Sequence, residues 1–235
     1  MIIKIYFIEN SFNYNADNLN DKFIAGSEKV LINITNELAK DNNLIIKVFN
    51  NTSKPKIINN VHWLNISQIE KNDIPDFVIS MSDANLFYNI AGKKNYLWSH
   101  SVQNFEKFLR KKQLVAFIKF KPIMILEGDY HYNSRGFFTS FYGKYVLKIA
   151  ADYDFINTKI DINFIPPQNA IFTTRSDRNL DFLIESWFEI KKINKDSKLF
   201  INPPHILSED ESANDIIVRK KGDKQLLIND MMNAR

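Results

Sequence analysis

The chain has no cysteine and is poor in glycine and histidine. Of its 235 residues, 6 are glycine and 4 are histidine. Without cysteine the fold has neither disulfides nor a thiolate metal site. The histidines stand at positions 62, 100, 131 and 205, which is too scattered for a helical pair of metal ligands. We therefore expect no metal centre.

Long apolar runs are also missing. No stretch approaches the roughly 20 apolar residues that a membrane-spanning helix needs. The N-terminal stretch 1–10 (MIIKIYFIEN) has no basic leader and no cleavage site of small residues, so we expect no signal peptide. Together with the missing cysteines, this favours a cytoplasmic protein. The net charge of +4 is too small to indicate a partner by itself.

Strand-like and helix-like segments alternate along the chain. Residues 2–8 (IIKIYFI) predict a buried first strand, and 44–49 predict a second. Between them, Ser27 is a natural N-cap for a helix with apolar residues at helical spacing. That apolar stripe consists of Val30, Leu31, Ile34 and Leu38. A strand–helix–strand unit favours a parallel sheet with right-handed crossovers.

The alternation continues to a break in the last third of the chain. Five further strands are predicted at 61–66, 76–80, 95–99, 122–127 and 144–149, and helices at 83–91 and 102–118. Pro166 and Pro167 then interrupt both kinds of structure, which indicates a linker at 164–168. A second unit follows, with strands at 170–174 and 198–202 around a helix at 179–193. We therefore predict an α/β protein with a Rossmann-like parallel-sheet domain at 1–163 and the first part of a second Rossmann-like domain at 169–235.

Several motifs, taken in order, resemble family 4 glycosyltransferases, which have the GT-B fold. The segment AGSEKVLINITNELAKDNNLIIKVFN (25–50) is similar to their N-terminal element, and NAIFTTRSDRNLDFLIESWFEIKK (169–192) to the opening of their donor domain. LWSHS (97–101) and LEGDYH (126–131) have close counterparts in a bacterial branch of that family. The resemblance spans nearly the whole chain.

The resemblance implies a glycosyltransferase that moves a sugar from a nucleotide-sugar donor to a glycan or lipid-linked acceptor. It implies retention of configuration at the transferred sugar and no cofactor. The N-terminal domain would hold the acceptor, as in polysaccharide biosynthesis. A His at the place of His100, which follows the strand 95–99, contacts the donor sugar near the reacting carbon in that family. His131 follows another strand and is the second candidate for a sugar or acceptor contact.

Three residues are candidates for binding the donor diphosphate. Gly26 lies between a strand and a helix, where backbone N–H groups can face an anion. Arg175 matches the arginine of the family motif, and Arg178 falls at its lysine. Guanidinium groups pair with phosphate oxygens bidentately and keep their charge. Asp83 and Glu127 also lie near strand ends, but no carboxylate pair indicates a hydrolase.

Departures from the family pattern leave a second interpretation open. Ala25 stands at the place of a first glycine, Asn179 replaces the motif glycine, and the family's Glu–seven residues–Glu element would come after residue 235. The chain would then be a truncated or degenerate relative that binds a glycan or a partner without catalysis. A nucleotide- or nucleic-acid-binding Rossmann-like protein ranks last, because the basic cluster falls on a predicted helix and not on a sheet face. We expect no nucleic acid partner.

The basic cluster occupies residues 104–121. The stretch NFEKFLRKKQLVAFIKFK mixes six basic residues with aromatic and aliphatic ones, which predicts a basic amphipathic helix. Such a helix can lie on the anionic inner face of a membrane. It can equally be a core helix with a solvated basic side, and the sequence leaves both interpretations open.

Overall fold

The computed structural model divides the chain into two compact units, Met1–Asp152 and Tyr153–Arg235. It describes residues 2–19, 24, 26–70, 72–101, 104–133, 140–148, 159, 163, 165, 168–172, 179–201 and 231–233. Pro166 and Pro167 lie outside these residues. The predicted linker at 164–168, and the GT-B arrangement of two domains, therefore stay predictions.

The first unit is built on one eight-stranded sheet. Its strands are β1 (Ile3–Ile8), β2 (Leu44–Asn50), β3 (Lys56–Ile58), β4 (Val61–Asn65), β5 (Phe77–Met81), β6 (Lys94–Ser99), β7 (Ile123–Leu126) and β8 (Lys144–Val146). Their order is β3-β4-β2-β1-β5-β6-β7-β8, and only β3 runs antiparallel to its neighbour. The predicted α/β class with a Rossmann-like parallel sheet is confirmed.

Helices cover both faces of this sheet, as parallel strands require. Side chains alternate along β1, so that Phe7 faces one side while Tyr6 and Ile8 face the other. Phe7 packs in a core with α1 (Gly26–Leu38), through buried Leu31 and Ile32. The opposite core contains Phe108, Ala116, Phe117 and Phe87. These residues come from α2 (Phe105–Arg110), α3 (Leu114–Phe120) and a 3₁₀ turn (Ala84–Tyr88).

Two predicted helices differ from those observed. The helix predicted at 83–91 is the short 3₁₀ turn Ala84–Tyr88. The single helix predicted at 102–118, and with it the continuous basic helix at 104–121, is wrong, because the chain turns between α2 and α3. Lys112 has a φ of 54° there. The next residue, Gln113, is buried, and its side chain accepts a hydrogen bond from the Ala84 backbone N–H at 3.3 Å.

The second unit contains a three-stranded parallel sheet in the order β11-β10-β9. Its strands are β9 (Ala170–Phe172), β10 (Leu199–Ile201) and β11 (Met231–Asn233). Helix α5 (Leu180–Ile193) packs Leu180, Ile184 and Trp187 with Leu199 into a small core. Asn179, at the start of α5, has a φ of 62°. Glycine adopts this conformation without strain and asparagine does so more readily than most other residues, so Asn179 suits the place of the motif glycine.

One carboxylate joins β1 and β2 to the segment before β5. Asp73 accepts hydrogen bonds from Lys4 Nζ at 2.7 Å and Lys47 Nζ at 2.8 Å. The Tyr6 hydroxyl donates to it at 2.5 Å. Burial of Asp73 acts to raise its pKa, but the hydrogen bonds from Lys4, Lys47 and Tyr6 outweigh it, and the pKa lies below its ordinary range. The ionised form of Asp73 is therefore part of the fold.

We expect the substitution Asp73→Asn to lower the free energy of unfolding by about 2 kcal/mol at pH 7, because it leaves two lysines without their partly buried counter-charge. Since the pKa of Asp73 is lowered in the folded protein, this contribution is full above about pH 4 and is lost as the pH falls further. Urea unfolding at pH 7 and pH 3 measures both effects.

The exposed pair between Asp17 and Lys56 supplies the control for this experiment. Asp17 is 55% exposed, so Asp17→Asn should change stability by less than about 0.5 kcal/mol. If Asp73→Asn and Asp17→Asn lower the free energy of unfolding equally, the contacts of Asp73 stabilise the fold no more than an exposed ion pair does.

Candidate functional site

Four polar residues follow the carboxyl ends of four neighbouring strands of the first unit. Glu9 follows β1, Asp83 lies just after β5, His100 follows β6 and Glu127 follows β7. The sheet order reverses at β1, since β2 and β4 lie on one side of it and β5 to β8 on the other. Parallel α/β sheets bind ligands at such a reversal, outside the carboxyl ends of the strands.

A cavity of about 260 Å³ lies at this reversal. Nine of its ten lining residues are polar. The ten are Glu9, Asn10, Ser11, Ser27, Glu28, Met81, Ser82, Asp83, His100 and Lys111. Hydroxyl, carboxamide and carboxylate groups dominate this set, and such groups form hydrogen bonds with a ligand rich in hydroxyls.

Glu9 is the most strongly perturbed acid of the cavity. It is only 6% exposed, and both its carboxylate oxygens lie within 3.0 Å of the Ser11 hydroxyl, which donates to them. Burial raises the pKa of Glu9 to about 7, and the negative charge of Glu28 adds to this effect. Interactions with the side chains of Tyr14, Ser11 and Asn50 lower the pKa and offset only part of this effect. Near neutral pH, Glu9 is therefore present in both its protonated and its ionised form.

The first turn of α1 brings a second carboxyl group to the cavity. Glu28 is buried and accepts a hydrogen bond from the Ser27 hydroxyl at 2.7 Å. The sequence predicted Ser27 as the N-cap, the residue before the helix. In the structure, Ser27 is instead the second residue of α1. Gly26 begins the helix, and a Cβ atom added there would meet nothing within 4 Å. No steric conflict requires glycine at this position.

The turn after β5 is unusual in its backbone. Ser82 has a φ of 57°, which is uncommon for a residue other than glycine. Its backbone N–H donates to the Trp98 carbonyl at 2.8 Å, and the Asp83 side chain accepts from the Asn85 N–H at 2.9 Å. Backbone conformations of this kind are concentrated at ligand sites. Here the turn brings Ser82 and Asp83 to the cavity wall.

His100 and Glu127 form a pair across β6 and β7. The strands align Ser99 with Leu126, so the next residue of each strand, His100 and Glu127, also meets its counterpart. Nδ1 of His100 hydrogen-bonds Oε1 of Glu127. A carboxylate partner fixes the proton on Nδ1, which leaves Nε2 as an acceptor. Nε2 is buried and has no hydrogen-bond partner among the described residues.

The sequence-predicted residues divide into those in the cavity and those elsewhere. His100 lines the cavity, at the carboxyl end of a strand as expected. Gly26 begins α1 without lining the cavity, and His131 belongs to α4 (Asp129–Asn133). Arg175 and Arg178 lie outside the described residues. The roles assigned to Gly26, Arg175, Arg178 and His131 stay predictions.

Sequence analysis noted Asp83 and Glu127 but did not single out Glu9 or Glu28. The signal that could have found Glu9 is its place directly after a fully apolar strand end, at the edge where ligands bind. Its burial could not be foreseen, since it depends on α1 and on the loop after β1.

Comparisons with known proteins add little beyond the fold. No protein-family model matches the sequence. No curated protein matches it. Among solved structures, the chain is similar to a Listeria monocytogenes protein assigned as a UDP-N-acetylglucosamine 2-epimerase, with a TM-score of 0.46 and 10% identity over 100% of this chain and 69% of that chain. A likeness at this level says nothing about the reaction, and the resemblance to family 4 glycosyltransferases stays a prediction.

The raised pKa of Glu9 predicts a pH dependence of stability. The unfolded chain loses the Glu9 proton near pH 4.5, whereas the folded protein keeps it to about pH 7. The contribution of Glu9 is therefore full below about pH 4.5 and falls as the pH rises through 7. Because Glu9→Gln cannot ionise, its stability relative to the unsubstituted protein should rise by about 2 kcal/mol between pH 5 and pH 8.

Urea unfolding at the two pH values tests this expectation. Glu37→Gln is the matched control, because Glu37 is 70% exposed and should show no such difference. If the free energies of unfolding of Glu9→Gln and the unsubstituted protein differ by the same amount at pH 5 and pH 8, the pKa of Glu9 is not raised in the folded protein.

Proposed function

We propose that the protein is a glycosyltransferase that takes a sugar from a nucleotide-sugar donor and binds its acceptor at the cavity of the first unit. The observation that supports this most is the cavity itself. It lies at the reversal of the sheet order, and nine polar side chains line it, one of which is the Glu9 carboxyl group with a pKa of about 7. A carboxyl group of this kind is suited to proton transfer at neutral pH.

The lining of the cavity favours a neutral, hydroxylated ligand over an anionic one. Glu9, Glu28 and Asp83 contribute carboxyl groups, whereas Lys111 is the cation among the lining residues. A diphosphate in this cavity would be repelled by carboxylates in a partly buried site. We therefore assign the sugar or acceptor hydroxyls to the cavity. For the donor diphosphate, Arg175, Arg178 and Gly26 stay candidates on the sequence resemblance alone.

His100 has the geometry of an oriented hydrogen-bonding group. Nδ1 is held by Glu127, and Nε2 is buried without a hydrogen-bond partner among the described residues, so we propose that a sugar hydroxyl donates to Nε2 once the sugar has entered the cavity. The Trp98 ring, whose centroid is 5.1 Å from that of His100, restricts the imidazole from one side. In the proposed reaction His100 orients the donor sugar near the reacting carbon, and Glu127 fixes the orientation of His100.

The direct test of the proposed function measures nucleoside diphosphate release from a panel of UDP-, GDP-, ADP- and dTDP-sugars, with glycan and lipid-linked acceptors. We expect His100→Asn to lower the rate of transfer by about 100-fold, since it removes a positioned hydrogen-bonding group. His62→Asn is the matched control: His62 lies in β4 and does not line the cavity, so its activity should be close to that of the unsubstituted protein.

The same panel, combined with titration calorimetry of glycans, distinguishes a glycosyltransferase from a non-catalytic binding module. Glycan binding in titration calorimetry without release of a nucleoside diphosphate from any donor would show a binding module. Equal activity of His100→Asn and His62→Asn would remove His100 from the proposed mechanism.

We further propose that the acceptor is lipid-linked and that α2 and α3 contact the membrane. Although the predicted continuous helix is absent, the two short helices expose apolar side chains beside basic ones. The apolar members are Phe105, Leu109, Val115 and Ile118, which are 49–69% exposed. The exposed basic residues of the segment 105–121, in the helices and directly after them, are Arg110, Lys111, Lys112, Lys119 and Lys121. Among the described residues, no helix is long and apolar enough to cross a bilayer.

Vesicle flotation tests this membrane contact. Binding should rise with the fraction of acidic lipid and fall with salt, because each basic side chain near the surface contributes on the order of 1 kcal/mol that salt screens. Arg110→Glu with Lys112→Glu should remove most of the binding. Lys111 is left unchanged because it lines the cavity.

A second double variant, Lys40→Glu with Lys56→Glu, changes the net charge equally at exposed positions outside α2 and α3. It should still bind the vesicles. If both double variants lose binding to the same extent, the attraction is a property of net charge and not of this surface.

A further inference from the structure

We propose that a second cavity of the first unit, between the loops after β1 and β2, binds a further sugar of the acceptor. The acceptor is then an oligosaccharide and not a single sugar. This inference rests on the glycosyltransferase function proposed above, because it extends the acceptor site beyond the cavity at the reversal of the sheet order. The place of the second cavity, its lining and an exposed phenylalanine between the two cavities support it.

The second cavity lies directly beside the first. Its volume is about 270 Å³, close to the 260 Å³ of the first cavity. Ser11 lines the first cavity and Asn13 lines the second. Since two residues of chain span at most about 7 Å, the cavities adjoin across this loop. Neighbouring sugars of one glycan chain can therefore occupy both cavities at once.

The lining of the second cavity suits a neutral ligand rich in hydroxyls. All seven lining residues are polar, and they include the carboxamides of Asn13, Asn15 and Asn18. A carboxamide has two N–H donors and two acceptor positions, so it can bind a sugar hydroxyl in either role. The charged members, Asp17 and Lys54, have opposite signs. The second cavity therefore has no excess of charge, unlike the first cavity with its three carboxyl groups.

Hydrogen bonds between the two loops hold the second cavity in shape. The Asn13 carboxamide donates to the Ser53 hydroxyl at 2.9 Å and accepts from the Ser53 backbone N–H at 3.0 Å. These bonds use one of its two N–H groups and one of its two acceptor positions. The buried Asn50 side chain donates to the Tyr14 carbonyl at 2.9 Å. A cavity whose loops are already ordered binds its ligand without a further cost of ordering them.

Phe12 stands in the chain between the two cavities. It is the residue between Ser11 and Asn13, and it is 43% exposed. Its ring lies 5.3 Å, centroid to centroid, from the ring of buried Tyr14, which supports it from one side. A single exposed apolar residue is ordinary on a protein surface, but an aromatic ring beside converging polar groups is typical of a ligand site. The C–H groups on one face of a sugar can pack on Phe12 while its hydroxyls reach the carboxamides.

The second cavity determines which acceptors bind well. The terminal sugar of the acceptor occupies the first cavity, the next sugar occupies the second, and Phe12 contacts the chain between them. Because the second cavity contacts none of the reacting atoms, it acts on acceptor affinity and not on the chemical step. A monosaccharide fills only one of the two cavities and therefore binds more weakly than an oligosaccharide.

Glycan binding in the absence of donor tests the second cavity. A printed array of mono- to tetrasaccharides identifies a bound oligosaccharide, and titration calorimetry compares it with its own terminal monosaccharide. We expect the oligosaccharide to bind at least about tenfold more tightly, which is the size of a good aromatic contact. Phe12→Ala should remove this difference and Phe12→Tyr should keep it. Phe141→Ala is the matched control, since Phe141 is 62% exposed and lines neither cavity, and it should keep the difference.

A second variant and acceptor kinetics complete the test. Lys54→Met removes a charged donor at an exposed lining position without touching Phe12, and it should reduce the difference in affinity about threefold. In transfer assays, Phe12→Ala should raise the KM for the oligosaccharide about tenfold while kcat falls less than about twofold.

The outcomes separate this inference from the proposed function. The second cavity is not a sugar site if no glycan of the array binds, if mono- and oligosaccharide bind equally, or if Phe12→Ala keeps the full difference. If glycans bind with the expected difference but no donor yields transfer, the second cavity stands as a sugar site and the glycosyltransferase function fails.

Discussion

The pairing of β1 with strands on both of its sides is the constraint on which the other features of the first unit depend. β1 pairs in parallel with β2 through Ile3–Ile8 and with β5 through Ile5–Ile8. Because the chain builds one half of the sheet to each side of β1, the covering segments diverge at its carboxyl end and leave a cavity there. Glu9 is the first residue beyond this doubly paired strand, so its position is set by the ladder and not by a free loop.

Glu9, which is buried, and Asp73, which is partly buried, show how strongly the surroundings decide ionisation. Lys4, Lys47 and Tyr6 donate to Asp73, and its pKa lies below the ordinary range. Burial raises the pKa of Glu9 to about 7, because the side chains of Tyr14, Ser11 and Asn50 offset only part of the effect and the charge of Glu28 adds to it. Ionised Asp73 therefore contributes to stability, while ionised Glu9 costs stability. A group whose charge the fold does not compensate is a candidate for function, because its ionisation can be coupled to a ligand.

The sequence predicted the architecture well, since apolar runs of strand length alternate with helical spacing along the first 150 residues. It placed His100 correctly because a residue directly after an apolar strand must lie at the carboxyl edge of a parallel sheet. It failed between Arg110 and Leu114, where helix-forming residues continue without interruption. There the turn depends on buried Gln113, which accepts a hydrogen bond from the backbone of Ala84, 29 residues away. The local pattern of apolar residues cannot indicate such a contact.

Dependence on contacts between distant parts of the chain also explains why sequence analysis did not single out Glu9 and Glu28, although it named His100. His100 is rare enough in this chain to attract attention, whereas Glu9 and Glu28 are 2 of 27 acidic residues. Among the acids that the structure describes, these two are the buried ones, and their burial is set by the approach of α1 to the carboxyl end of β1. Glu28 is brought inward because its helix must turn Leu31 and Ile32 to the sheet, which places the residue one turn earlier beside the cavity. The packing of the apolar stripe of α1 thus positions a carboxyl group next to Glu9 and helps to raise its pKa.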